Sequence, residues 1–574
     1  MAISVDDRAE PQRSRNLSTG QAGSGRTLRP ARGGMWPAAV VIMVGLGGAV
    51  VQPLNGDIRF EAGAESASWW GIAETFTHRP LAYRLMTAAA FAPARLFGEG
   101  GAGFEIALQV IALVLCAAAA ARLGRALVRR GVPGPVAGPL AVAVGAAAAF
   151  QGAVSVWEPD WLATVLTVLA VAVGLTGAGR RTRLVTGLLA GILLAAAAAI
   201  KIVTLPIALI GLIAIGWLDR RRAPVVLGSA VAAGLAWIGV VAVRWPVELT
   251  WLIELSVLQP NQDGLLGRAA SGLGGALLTW PVLIMVPAAI LLLSAGRSGT
   301  DRLRTGGVLA AVVLLGLAPA ILQRQYFVYH FAALPVLAGA LLVPAAVRAG
   351  RVGASRLLAG LVTGTIAAAV LTRMPADWRL QHQAAILAGL GALMIITAVA
   401  VRPRPGIRPR PSDDRLWPAA VIAAASMITT LLPGQTSTVP LVDGPAGLLN
   451  VNTAAVTAAQ RETGRRIRAE LGAGTPVLYL AYGELAYFVG NATPCRYLSP
   501  TWLQRARYNP EIRHTRSYAD NLSCLAAPEP RVLLLQTDWF RLGRQPASLR
   551  QAIERRYDCS TAPEIDGILL CPRR

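Results

Sequence analysis

Apolar residues along the chain come in repeated runs, most of about 18 to 22 residues, separated by short polar breaks. Runs of that length cross a bilayer core of about 30 Å as helices. They fall near 35–53, 104–121, 134–154, 161–178, 184–200, 203–218, 224–243, 275–294, 305–322, 328–347, 357–372, 383–401 and 416–433, which predicts about thirteen transmembrane helices. The pattern predicts a polytopic all-α membrane protein.

The breaks are not equivalent. Alternate ones carry clusters of arginine: Arg122, Arg125, Arg129 and Arg130; Arg180, Arg181 and Arg183; Arg220, Arg221 and Arg222; Arg297, Arg302 and Arg304; Arg348, Arg351 and Arg356; and Arg402, Arg404, Arg408, Arg410 and Arg415. The opposite breaks carry few. Basic loops stay on the cytoplasmic side, so the amino terminus is expected in the cytoplasm and everything after the last span outside the plasma membrane. Lys201 interrupts the apolar residues 184–218 without a turn residue beside it. A single helix there would invert every later arginine loop, so a hairpin is expected at Lys201.

Two exterior pieces break the transmembrane rhythm. The loop 54–103 holds apolar residues at roughly helical spacing between Trp69 and Phe91, which predicts an amphipathic helix lying in the interface. Its acidic residues Glu61, Glu65 and Glu74 read as a solvated face. The segment 434–574 changes character: "TAAQRETGRRIRAEL" and "SLRQAIERRY" read as surface helices, and "TPVLYLAYG", "RVLLLQTDW" and "GILLC" as strands. A C-terminal exterior α/β domain with its own core is expected there. Residues 1–34 are polar and arginine-rich and read as a disordered cytoplasmic tail; 35–433 form the transmembrane domain.

Composition sharpens this picture. Only 15% of residues are charged and mean hydropathy is +0.51, too little charge to cover a soluble surface. The net charge of +23 is accounted for by loop arginines facing anionic lipid; with no nucleic-acid motif in the chain, nucleic acid is excluded as a partner. Cys116 falls inside a span. Cys495, Cys524, Cys559 and Cys571 all fall in the exterior segment, where an even number implies two disulfides. Cys495–Cys524 with Cys559–Cys571 is the simplest of three connectivities.

Charged groups close to hydrocarbon are costly and mark function. Here they converge on the exterior ends of the spans. Asp57 follows the first span, Glu158 and Asp160 precede the fourth, and Lys201, Arg324 and His330 sit at later span ends, with His78 and Arg84 in the first loop. Cations hold a phosphate and stabilise it as a leaving group, and a carboxylate takes a proton from an attacking hydroxyl. Asp57 is the candidate base. Lys201, Arg324, Arg84, His330 and His78 are the candidate phosphate ligands. Glu158 and Asp160 are placed at the sugar or acceptor pocket, or on a metal.

"GDIRF" after the first span, an interfacial helix in a long first loop, "EPDWLATVLTVLAV" at the fourth span and an exterior α/β domain together resemble the GT-C membrane glycosyltransferases, among them the protein O-mannosyltransferases, aminoarabinose transferases and actinobacterial arabinosyltransferases. The resemblance implies an inverting enzyme that moves a sugar from a polyprenyl-phosphate donor to an envelope glycan, lipid or protein acceptor on the outer membrane face. The alanine- and arginine-rich composition resembles that of high-GC actinobacteria, which makes arabinose or mannose the expected sugar. Asp57 stands without a second acidic residue beside it, so no cofactor is required by the pattern, and a divalent metal (Mg or Mn) remains open. The rival functions are a flippase of lipid-linked sugars and a polysaccharide polymerase or ligase.

Overall fold

The computed structural model describes residues 39–40, 53–151, 155–177, 179–258, 265–295, 298–402 and 451–574. The amino-terminal tail, the start of the exterior segment and the expected span 416–433 lie outside the described residues, as does nearly all of span 35–53.

Each expected span between 104 and 401 falls on helix, with one change of form. The exterior loop contributes α1 (Gly56–Ala67) and α2 (Leu81–Ala94). The membrane helices are α3 (Ala102–Arg129), α4 (Gly134–Ala149), α5 (Pro159–Gly174), α6 (Arg180–Ala199), α7 (Leu205–Leu218) and α8 (Ala223–Arg244), followed by a short α9 (Pro246–Glu254). Then come α10 (Leu265–Thr279), α11 (Val286–Ser294), α12 (Gly299–Gln323), α13 (Ala333–Leu371) and α15 (Gln383–Ala400), with α14 (Ala376–Gln381) between the last two. Among the described residues seven helices are long and apolar enough to cross a membrane, or eight if a bent pair counts as one span. The chain is a multi-pass membrane protein.

The expected span 275–294 is the one that differs: Leu266–Thr279 and Pro281–Ser294 meet at 102°. Pro281 removes a backbone donor and drives Trp280 out of helical geometry, and Trp280 is extended at φ −127° and fully buried. A second break sits within α13 at Gly350, whose φ of 64° suits a residue without Cβ. The hairpin at Lys201 forms as the arginine pattern requires. Lys201 is extended between α6 and α7, and Pro206 in the first turn of α7 needs no helical donor.

The first exterior loop departs from expectation. The single interfacial helix over Trp69–Phe91 is replaced by two helices joined through an irregular strap, residues 68–80. α2 is not interfacial along its first turn: Leu81, Ala82, Tyr83 and Arg84 are all buried. The strap pairs with the exterior domain, where Phe76 N donates to the Arg496 carbonyl at 2.7 Å and Trp69 N to that of Thr493 at 3.1 Å.

The exterior domain opens with α16 (Val451–Leu471) and builds a four-stranded sheet from β1 (Val477–Leu480), β2 (Val532–Gln536), β3 (Glu564–Ile565) and β4 (Ile568–Pro572), in the order β1-β2-β4-β3. β1 and β2 run parallel and the other pairs antiparallel. Disulfides join Cys495 to Cys524 and Cys559 to Cys571. Its core is shared with the membrane domain. Phe60, Ala64 and Ala67 of α1 pack with Ile467, Val477 and Leu534. The approach is close enough that a Cβ on Gly63 would lie 2.6 Å from the Tyr487 nitrogen.

Candidate active site

A cavity of about 1830 Å³ opens between the membrane helices and the exterior domain. One wall is apolar and comes from α6, α7, α8 and α9, through Leu194, Leu212, Leu235 and Leu252 among others. The other end is charged and aromatic: Asp57, His78, Arg79, Lys201, Tyr329, Tyr482 and Trp539.

Asp57 stands in the first turn of α1, where the helix dipole favours a carboxylate. Asn55 caps that turn, its Oδ1 accepting from Asp57 N at 3.3 Å, while its amide donates to Glu158 Oε1 at 2.9 Å. Asp57 Oδ1 accepts from the Tyr482 hydroxyl at 2.6 Å, and Oδ2 from Arg79 Nη2 at 2.8 Å. The same nitrogen reaches Glu158 Oε2 at 2.6 Å, so one guanidinium bridges the two acidic segments. Arg79 sits in a bend of the strap just before Pro80, and its side chain reaches across the site to both carboxylates. Burial alone would raise the Asp57 pKa. His78 and Tyr482 beside its oxygens, with the charge of Arg79, outweigh it and hold the carboxyl below the usual carboxylate range; with the ring neutral, His78 acts there as a polar neighbour and not as a charge.

Lys201 Nζ donates to Gln323 Oε1, and burial, with Arg79 nearby, lowers its pKa to about 8. Behind it lies a buried set: Gln323 Nε2 is 3.1 Å from His330 Nδ1, which is 2.9 Å from Asp160 Oδ2.

The sequence-derived residues separate into three groups. Asp57, His78 and Lys201 line the cavity. Glu158, Asp160 and His330 do not; all three are buried one layer behind, paired with Arg79, Gln323 and one another's neighbours rather than offered to a sugar or a phosphate. Arg84 and Arg324 are corrected outright as phosphate ligands. Arg84 is buried against Glu248 and donates to the Ile72 and Thr75 carbonyls, a clamp that holds the strap on α9. Arg324 is exposed, turned away by a left-handed backbone (φ 52°) at the end of α12, and its neighbours Gln323 and Gln325 line the cavity instead. Trp157 and Trp161, adjacent to these carboxylates, are buried and donate to the Leu108 and Ala148 carbonyls. The residues the pattern missed are Arg79, Tyr482, Tyr329 and Gln323. The Arg-Pro step at 79–80 was a local signal for the first; nothing local marks Tyr482, which lies 425 positions from Asp57.

The carboxylates do not fit a divalent ion. Asp57 and Glu158 share a guanidinium where a cation would sit, and Asp160 is turned to His330. Among the described residues no three His, Cys, Asp or Glu side chains converge on a metal site.

No family model and no curated protein matches the sequence. Solved structures do match. ArnT from Cupriavidus metallidurans bound to undecaprenyl phosphate aligns at TM-score 0.50 and 14% identity over 93% of this chain and 97% of its own. This chain has the fold of ArnT. The apo form of ArnT aligns at TM-score 0.48, with the same coverage and identity. The Archaeoglobus fulgidus oligosaccharyltransferase complex with Zn and sulfate aligns at 0.37 and 11% identity, over 92% of this chain and 71% of its own. In this chain α1 and the domain that follows the membrane helices meet at the cavity, where Asp57 and Tyr482 touch.

Proposed function

We propose that the chain is an inverting glycosyltransferase that moves a sugar, arabinose or mannose, from a polyprenyl-phosphate donor to an envelope glycan, lipid or protein hydroxyl. The observation that carries this reading is the cavity, in which a long apolar wall ends at a carboxylate flanked by two cations. An isoprenoid tail suits the wall, and a phosphate suits Arg79 and Lys201. A solved neighbour of the same fold, ArnT, holds undecaprenyl phosphate.

In this reading the acceptor hydroxyl attacks the anomeric carbon from the face opposite the phosphate. The carbon–phosphate oxygen bond breaks, and the phosphate leaves as a monoester anion held by Arg79 and Lys201. Asp57 takes the hydroxyl proton. Its low proton affinity is owed partly to Arg79. A phosphate anion beside Arg79 offsets that pull, so the base strengthens as the donor arrives.

The orientation follows from the arginine loops. α6 begins among Arg180, Arg181 and Arg183 and ends beside Lys201, about 30 Å away at helical rise. Basic loops on the cytoplasmic side put the cavity and the disulfide-linked domain outside, with the amino terminus in the cytoplasm.

The test is turnover by purified chain in lipid nanodiscs with decaprenyl-phosphate arabinose or mannose and arabinan or mannan oligosaccharides. Transfer from one donor is expected, with kcat lowered at least about 100-fold in Asp57→Asn. Undiminished turnover in that variant would sink the base assignment. No transfer from any donor, alongside lipid-sugar movement across vesicles, points to a flippase.

A further inference from the structure

Asp57, Glu61 and Glu65 recur at every fourth position of α1, so one face of that helix carries three carboxylates in line. The solvated face expected from the sequence is overturned at Glu61, which is only 4% exposed. The strap and α2 cover it. His78 joins the first two carboxylates. Its Nε2 is 3.3 Å from Asp57 Oδ2 and its Nδ1 4.0 Å from Glu61 Oε1. The ring stacks on Phe60 at 5.1 Å and 19°, which fixes its plane. Glu61 Oε2 accepts from the Thr77 hydroxyl at 3.0 Å. The buried Oε1 has no hydrogen-bond partner among the described residues. Beyond it a void of about 10 Å³ lies between Glu61 and Glu65, room for about one water. Glu65 is 16% exposed and pairs with Arg95 at 2.6 Å at the outer edge.

We propose that His78, Glu61 and Glu65 form an outlet that carries away the proton Asp57 takes from the acceptor. The inference rests on the transfer reaction proposed above. During turnover donor and acceptor fill the cavity, so Asp57 has no bulk water on that side, and the α1 face leads the other way. Each step balances. An in-plane shift of the His78 ring closes its 3.3 Å and 4.0 Å gaps in turn: Asp57 Oδ2 gives its proton to Nε2, and Nδ1 gives its own to Glu61 Oε1. Glu61 passes a proton through the water in the void to Glu65 and out. Asp57 is left ionised, and His78 neutral with its hydrogen moved to the other nitrogen; rotation or exchange restores it.

The electrostatics agree with the geometry. Glu61 faces Asp57 on its own helix, Thr77, His78 and Arg79 on the strap, and Arg84 on α2. Burial outweighs the two arginines and Thr77 and raises its pKa to about 7. Burial, with Arg79, lowers His78 to about 4, so the ring is neutral and holds one N–H to pass.

The test uses full-length chain in nanodiscs with whichever of the two decaprenyl-phosphate sugars it consumes, from pH 5.5 to 8.5. Glu61→Gln keeps the Thr77 bond. It is expected to lower kcat about 10- to 100-fold with donor KM unchanged, and to abolish the wild-type fall in kcat below about pH 7. His78→Gln should match it, Glu61→Asp should restore most of the rate, and Glu65→Gln should cost less. Wild-type kcat and pH profile in Glu61→Gln, beside an inactive Asp57→Asn, overturn the outlet and leave the transfer reading standing. A wild type that uses neither donor overturns both.

Discussion

Arginine does two different jobs at the two ends of the helical domain. At the arginine-rich end, side chains bind mostly backbone, with Arg130 and Arg222 also sharing the Asp219 carboxylate. Arg222 donates to the carbonyls of Gly174, Thr176 and Gly177 where α5 ends, and Arg130 to that of Leu175. Arg356 donates to Ala400 at the end of α15. These are helix carboxyl termini, whose last carbonyls lack partners and whose dipole favours a cation. At the cavity end, Arg79 binds carboxylates from two different elements and faces an open space. The first arrangement closes helices; the second leaves a charge that a ligand can share. A count of arginines treats them alike, and only the partner separates them.

That contrast breaks most sharply at Arg79. Arg79→Ala leaves Asp57 and Glu158 facing each other without a cation and removes a phosphate ligand. Sugar transfer is expected to fall about 100- to 1,000-fold, measured as kcat/KM for the donor. A variant that merely melts earlier and keeps its rate would place Arg79 with the helix-closing arginines. Lys201→Met is expected to raise donor KM about tenfold. Lys201 titrates near about 8, below the ordinary lysine value, so it is charged below that pH and neutral above it. Wild-type donor KM should therefore rise as pH passes 8, and Lys201→Arg should hold it flat. A KM independent of pH in the wild type removes Lys201 from the phosphate. The smallest effect on rate is expected at Arg222→Ala: about 2 kcal/mol of stability from carbonyls left unpaired, read as a lower melting temperature in detergent, with kcat unchanged.

The architecture was largely legible because it rests on long apolar runs and alternating loop charge, which one sequence carries in full. The bend at Trp280–Pro281 was legible in principle from the proline. The site was legible only where a residue's chain position fixes its depth, as for Asp57 at the start of α1 and Lys201 at its hairpin. It failed where neighbours decide direction. Arg84 and Arg79 are five positions apart, yet Arg79 on the strap lines the cavity while α2 turns Arg84 onto Glu248. Arg324 and Gln323 are adjacent, and one left-handed residue exchanges which of them faces the site. Glu61 read as solvated because nothing local reveals that the strap, itself held by the later domain, folds back over that face of α1.

That cover has a consequence in time. Asp57 lies near the start of the chain, and Tyr482, which completes its hydrogen bonds, follows 425 positions later. The strap between α1 and α2 finds its pairing partners, Thr493 and Arg496, later still. A ribosome making this chain therefore inserts every membrane helix described here before the cavity has a roof. Synthesis completes this site last, so an unfinished chain already seated in the membrane lacks the contact between Asp57 and Tyr482.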